Sequence, residues 1–153
     1  MDFDAFAAEV ASIREARAAR GRAEPAFESL IASDDDLARI EAALRTTLPE
    51  QYKRFLRVFG GGGFVYLDLV PPISPDGRQA GLIELNSGPD SKPGFVAIAP
   101  CGGGDYWGFV TVDGVCEERV TVYSFVDGDF TFEADDFLTF ASWWGLHGGR
   151  DYL

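Results

Sequence analysis

Leu48-Pro49-Glu50-Gln51-Tyr52-Lys53-Arg54-Phe55-Leu56-Arg57-Val58-Phe59, followed at once by Gly60-Gly61-Gly62-Gly63, is the stretch from which the fold is read. Pro49 pre-sets φ for a first helical turn and pushes Leu48 toward extended backbone. Tyr52, Phe55, Leu56 and Phe59 then fall on one helical stripe, with Lys53, Arg54 and Arg57 on the wet side. Four glycines cannot prolong that helix without a heavy entropic cost, so the chain turns there. Phe64–Val70 follows as a strand-like run.

Working upstream, Ser33 offers an N-cap, and Asp34, Asp35 and Asp36 fill the first turn of a helix, where free N–H groups favour negative charge. Leu37, Ile40, Leu44 and Leu48 make its core face, with Asp35–Arg39 and Glu41–Arg45 as i,i+4 pairs. Helix capping accounts for the triple aspartate without a metal. Residues 21–32 read as a connection. Before them, Phe3, Phe6, Val10 and Ile13 give one apolar stripe on a helix over roughly residues 2–20, stopped at Gly21. Arg14, Arg17, Arg20 and Arg22 sit late in this segment, opposing the negative end of the helix dipole.

Downstream the texture changes. Phe64–Val70, Gly81–Leu85, Phe95–Ala99, Tyr106–Val112 and Val120–Val126 are rich in β-branched and aromatic residues and are predicted as strands, with Asp129–Phe132 as a short last one. Asp113-Gly114 and Asp127-Gly128 are hairpin-type turns. Glu133–Leu146 returns to helical spacing, with Phe137, Phe140, Ala141 and Trp144 on one side. Helices first, then a mostly antiparallel sheet of five or six strands, then a closing helix: the fold class is α+β.

The charge is the unusual part of the composition. The formal net charge is −12, and it is uneven. Residues 1–60 carry nine Lys/Arg against eleven Asp/Glu, and residues 61–153 carry four against fourteen. A negative field repels nucleic acid and anionic membrane, and steers a basic protein inward. Cys101 and Cys116 are the only cysteines, too few for a disulfide framework or a metal knuckle. Met1-Asp2-Phe3-Asp4 is acidic where a secretory signal is basic, so a cytoplasmic protein with free thiols is expected.

No catalytic constellation stands out. His147 is the one histidine, and nothing in the sequence places a nucleophile beside it. Gly60–Gly63 and Gly102–Gly104 lack the Lys and Ser/Thr of a phosphate loop, and the first ends a helix where such loops open one. Asp127-Gly128-Asp129 with Glu133, Asp135 and Asp136 is too short and wrongly ordered for a calcium loop. On strand Tyr106–Val112, Tyr106 and Trp107 point to opposite faces. One row belongs to the core, and the other is free to line a groove. A non-enzymatic protein without cofactor or metal is expected.

Four features in order carry a family resemblance: the Leu37-Ile40-Leu44 helix; Leu48-Pro49, Tyr52 and Phe55-Leu56 with the glycine stop; Gly94–Pro100 leading to Gly103-Gly104-Asp105-Tyr106; and the Phe137–Trp144 helix. Together they resemble the SUKH superfamily, which holds the Smi and Knr cell-wall-assembly regulators of yeast and many bacterial toxin-immunity proteins. The resemblance implies one domain over residues 1–153, with a family-like core at 31–146 and a helical extension at 1–30. It implies a binding protein with no catalytic residue to transfer: an immunity protein that blocks a toxin such as a nuclease or, alternatively, a regulatory or scaffolding domain. A small enzyme or ligand-binding protein using the glycine-rich loops is the third alternative. The residues proposed for partner binding are Asp105, Asp127, Asp129, Glu133, Asp135 and Asp136, with Tyr106 or Trp107 as aromatic anchor.

Overall fold

The computed structural model describes residues 1–22, 26–89 and 91–150. Helix α1 (Phe3–Ala19) opens at Asp2, whose carboxylate accepts the Ala5 N–H at 3.1 Å, and it buries Phe6 and Val10. Helix α2 (Asp34–Leu44) starts on a reciprocal cap: Ser33 Oγ accepts the Asp36 N–H, and Asp36 Oδ2 accepts the Ser33 N–H. Helix α3 (Glu50–Val58) buries Tyr52, Phe55 and Leu56.

The surface pairs expected around α2 are replaced by something more internal. Arg45 ends the helix in a left-handed conformation, φ 53°, which takes it off the helical ladder. Glu41 instead accepts the Leu48 N–H at 2.8 Å and pairs with Lys53 at 3.3 Å. Lys53 is therefore buried rather than on the wet side, and Glu50 holds it from the other direction at 2.7 Å. Burial works against its charge, but the hydrogen bonds from Lys53 to Glu50 and Glu41 outweigh it and raise its pKa. No Asp35–Arg39 ion pair forms among the described residues.

Phe64–Val70 is a hairpin rather than one strand: β1 (Gly62–Phe64) pairs antiparallel with β2 (Leu67–Leu69) around Val65 at φ 54°. The glycine block does more than stop α3. A Cβ on Gly60 would lie 2.6 Å from the Leu30 backbone, because the incoming chain bridges Leu30 to Gly61 and Phe27 to Phe64. The connection after α1 thus joins this hairpin; its residues 23–25 lie outside the described residues.

Gly81–Leu85, expected as a strand, is part of a helix, α4 (Leu82–Ser87). Leu82 and Leu85 are spaced three apart, which sets both on one face of a helix but on opposite faces of a strand, and Glu84 accepts the Gly81 N–H at 3.0 Å to cap the helix. The main sheet follows, with β3 (Phe95–Gly102), β4 (Asp105–Val112), β5 (Val115–Cys116), β6 (Val120–Tyr123) and β7 (Phe130–Ala134). All its pairings are antiparallel, in the order β3-β4-β6-β7, with β5 beside the far end of β4. The architecture is α+β. Glu133 and Ala134 extend β7, so the closing helix begins only at Phe137: α5 (Phe137–Phe140) runs into a π-helical turn, Ala141–Leu146.

Helices α3 and α5 pack on one face of the sheet, against Phe109 and Trp107. Phe137 sits 4.7 Å from Tyr52 and 4.8 Å from Phe55, ring centre to ring centre, and Phe55 in turn meets Phe6, Phe59 and Phe64. Among the described residues, no helix is long and apolar enough to cross a membrane.

Two substitutions test this packing. Phe55→Ala should lower unfolding free energy by about 3–5 kcal/mol in urea titrations, as for other buried rings. Tyr52→Phe should leave stability unchanged or raise it, because the fully buried Tyr52 hydroxyl has no hydrogen-bond partner among the described residues. A loss of stability in Tyr52→Phe would mean that the hydroxyl is satisfied.

Candidate functional site

The sheet has two unlike faces. On the helix face, Trp107 of β4 packs against Phe140 and Trp144, each at 5.2 Å, and Phe109 two residues on is fully buried. On the outer face stand Phe95, Tyr106, Gly108, Tyr123, Phe130 and Phe132, aligned by the register Tyr106↔Tyr123↔Phe130 and Gly108↔Thr121↔Phe132. Phe95, Tyr123 and Phe130 form a triangle of rings 5.5–5.7 Å apart. Gly108 makes room for it, since a Cβ there would lie 2.6 Å from Phe95 Cζ and 2.0 Å from the Val96 carbonyl oxygen.

Helix α4 covers the β3 side of this outer face. The Asn86 amide fastens it by donating to the Ala97 carbonyl and accepting the Ala97 N–H, at 3.0 and 2.8 Å. Between α4 and the rings lies a groove of about 310 Å³, walled by Phe95, Tyr106, Tyr123 and Phe125. The Lys92 ammonium lies over the Tyr123 and Phe125 rings, at 5.5 and 5.3 Å. Beyond the groove, toward β7, the face is open: Phe125 is 59% exposed, Val126 84%, Phe130 47% and Phe132 55%.

The expected site residues divide on this frame. Tyr106 faces the groove, whereas Trp107 belongs to the helix face. Asp105 is half-buried, and its Oδ1 accepts the Phe125 N–H at 2.8 Å, holding the β6–β7 loop to the start of β4. Glu133 accepts the Trp144 indole N–H on the helix face. Asp136 caps α5 by accepting the Thr139 N–H at 2.8 Å and meets the Met1 amine. Burial opposes its charge, but the hydrogen bonds from that amine and from Thr139 prevail and lower its pKa. Asp127 and Asp129 are different. Both are exposed in the β6–β7 loop beside Phe125, Val126 and Phe130, and their carboxylates make no ion pair or hydrogen bond among the described residues. Asp135, just past β7, is likewise exposed and unpaired there.

The cluster of Ser142, Glu9 and His147 is not ordered as a catalytic triad. Ser142 Oγ donates to Glu9 Oε2 at 2.6 Å, and His147 Nε2 stands 3.7 Å from the same oxygen. The carboxylate lies between serine and histidine, whereas a triad needs the imidazole in the middle. This cluster fastens α1 to the π-helical turn. Burial raises the pKa of both thiols, with Asp105 and Glu133 adding to the effect at Cys101, and Cys116 is pushed up to about 11. No cluster able to hold a metal occurs among the described residues.

Comparison with known families matches residues 34–140 to SUKH_6, described as SMI1-KNR4 cell-wall. The chain belongs to the SUKH_6 family. The match opens at the first residue of α2 and closes at the last of α5, so it takes in the glycine block, α4 and the whole two-faced sheet. Helix α1 lies outside the matched SUKH_6 span, although Phe6 and Val10 pack into the same core. No curated protein matches the chain.

The outer-face rings beyond Tyr106 were not singled out by sequence reasoning. The available signal was the alternation Phe130-Thr131-Phe132 on an edge strand, which puts two rings on one face.

The acids have separable roles. Asp136→Ala should cost about 1 kcal/mol of stability at neutral pH, the usual value of a lost N-cap. A carboxyl lowered in the folded state contributes stability above its unfolded pKa and loses it as pH falls through the folded value. The difference between Asp136→Ala and the parent should therefore shrink when unfolding is measured in acid below the ordinary carboxylate range. Asp127→Asn and Asp129→Asn should change stability by less than about 0.5 kcal/mol at either pH.

Proposed function

We propose that this SUKH_6 domain is a non-enzymatic, cytoplasmic immunity protein that binds and neutralises a bacterial toxin with a basic surface, such as a nuclease. The observation that carries the reading is the open apolar strip Phe125, Val126, Phe130 and Phe132, bordered by the carboxylates of Asp127 and Asp129, unpaired among the described residues. An immunity protein must capture its toxin quickly and release it slowly. Exposed acids on a chain of net charge −12 accelerate encounter with a cation, and desolvated rings slow release. Tyr106 and the groove behind the strip supply further apolar contact. Asp105, Glu133 and Asp136 support this surface through the contacts that place the β6–β7 loop, Trp144 and α5.

The test is capture of the partner from native lysate at low and then high salt, followed by co-expression with it. Retention of a basic toxin domain and survival of cells expressing both supports the reading. Retention of envelope or housekeeping proteins in its place would favour a regulatory or scaffolding domain. With the partner in hand, Asp127→Lys combined with Asp129→Lys should weaken binding about tenfold or more, chiefly through a slower on-rate at low salt. Unchanged association kinetics in a folded double variant would remove both residues from the interface.

A further inference from the structure

β7 is the last strand of the main sheet, and among the described residues its outer edge has no strand neighbour. Such edges are ordinarily guarded by lysines, prolines, bulges or inward-pointing charges. Phe130-Thr131-Phe132-Glu133-Ala134 contains neither lysine nor proline; its guards lie at the Glu133 end, where the register with β6 slips by one residue and the Glu133 carboxylate turns to the helix face to accept the Trp144 indole N–H, so the regular edge is Phe130–Phe132. What the edge presents instead is two half-exposed rings, Phe130 and Phe132, on the outer face.

Carboxylates bracket this edge at both ends. Asp127 and Asp129 precede it, Asp135 follows it, and Asp135 shares a shallow hollow with Glu117, Glu118 and Phe132. Arg119 is the one cation in that hollow and is held by Glu117 at 3.3 Å. This pattern argues against a second copy as occupant. A twofold antiparallel pairing over Phe130–Phe132 brings Asp127 and Asp129 of each copy toward the Glu133–Asp135 end of the other. Like charges directly across a ladder are destabilising. The same bracket complements a strand that carries cations at its ends.

We infer that β7 docks an extended segment of the protein partner, which adds a strand to the sheet with apolar residues beside Phe130 and Phe132 and Lys or Arg beside the flanking carboxylates. This rests on the binding-protein reading above and specifies its surface and its mode. Main-chain hydrogen bonds along the edge supply affinity, and alternate side chains of the incoming strand supply selectivity.

The probe is a capped synthetic peptide of alternating valine and threonine with paired lysines at each end, added to the intact protein while amide exchange is followed by NMR. Exchange at Phe130–Ala134 should slow about tenfold for amides directed at the new strand. The protection should fade with salt and be absent with a peptide ended by glutamates. N-methylation at alternate peptide residues should abolish it, since the donors are lost while the charges remain. Phe132→Lys, a substitution at an exposed position, should abolish it as well. Equal binding of the N-methylated peptide, protection elsewhere, or no binding would overturn strand addition. So would a dimer in sedimentation with β7 already protected before peptide is added, which would name the second copy as occupant. None of these results bears on whether co-expression neutralises a toxin, so failure here and failure of the immunity reading are separately visible.

Discussion

The contact of Phe137 with Tyr52 and Phe55 decides how the rest of the molecule is arranged. It joins α3, fixed early in the chain by Pro49 and the glycine block, to a helix that arrives only after the whole sheet has been laid down. Because both helices meet through these rings, they must lie on the same side of the sheet. Trp107 and Phe109 then have to face them, and the alternation of a strand sends Tyr106 and Gly108 the other way. The open outer face follows from the packing of the closed one. Among the described residues the helix that borders it is α4, of six residues, on the β3 side.

A half-covered sheet bearing aromatic residues would ordinarily be a hazard in solution, since exposed apolar surface invites association. Here the same residues that border the rings carry the charge. Asp127, Asp129 and Asp135 stand around Phe125, Phe130 and Phe132, and the chain as a whole repels its own copies. On the proposed reading, one charge pattern would both oppose self-association and select a cationic partner.

The parts legible in the sequence were those in which local and tertiary demands agree. The Ser33 cap, the Pro49 helix, the glycine stop and the Asp113-Gly114 turn, with φ 52° and 76°, each express a local rule that packing does not oppose. Where contacts between distant segments decide, the pattern misled. Gly81–Leu85 has strand composition, but the Asn86 bonds to Ala97 make a helix its better partner for β3. Lys53 lies on the polar stripe of its own helix, yet Glu41 reaches back from α2 to hold it indoors. At the candidate site, the sequence marked acids without their environments. Asp127 and Asp136 are both candidates for a partner, although Asp136 falls early in the closing helix, and the fold shows that Asp136 caps that helix while Asp127 faces solvent.

An edge guarded by carboxylates differs in kind from one guarded by proline or a bulge. Proline and bulges remove hydrogen-bonding capacity from the backbone and so close an edge to every partner. Flanking charge leaves the outward backbone groups of Phe130–Phe132 in place, the one register slip falling at Glu133, and acts only through the sign of what approaches. On the proposed reading it would reject a second acidic copy at the same positions where it would attract lysine or arginine, over roughly a Debye length before any contact forms. Such an edge is closed to its own kind and open to a cation-bearing strand, with the exposed rings of Phe130 and Phe132 rewarding only the strand that also brings apolar residues in alternation.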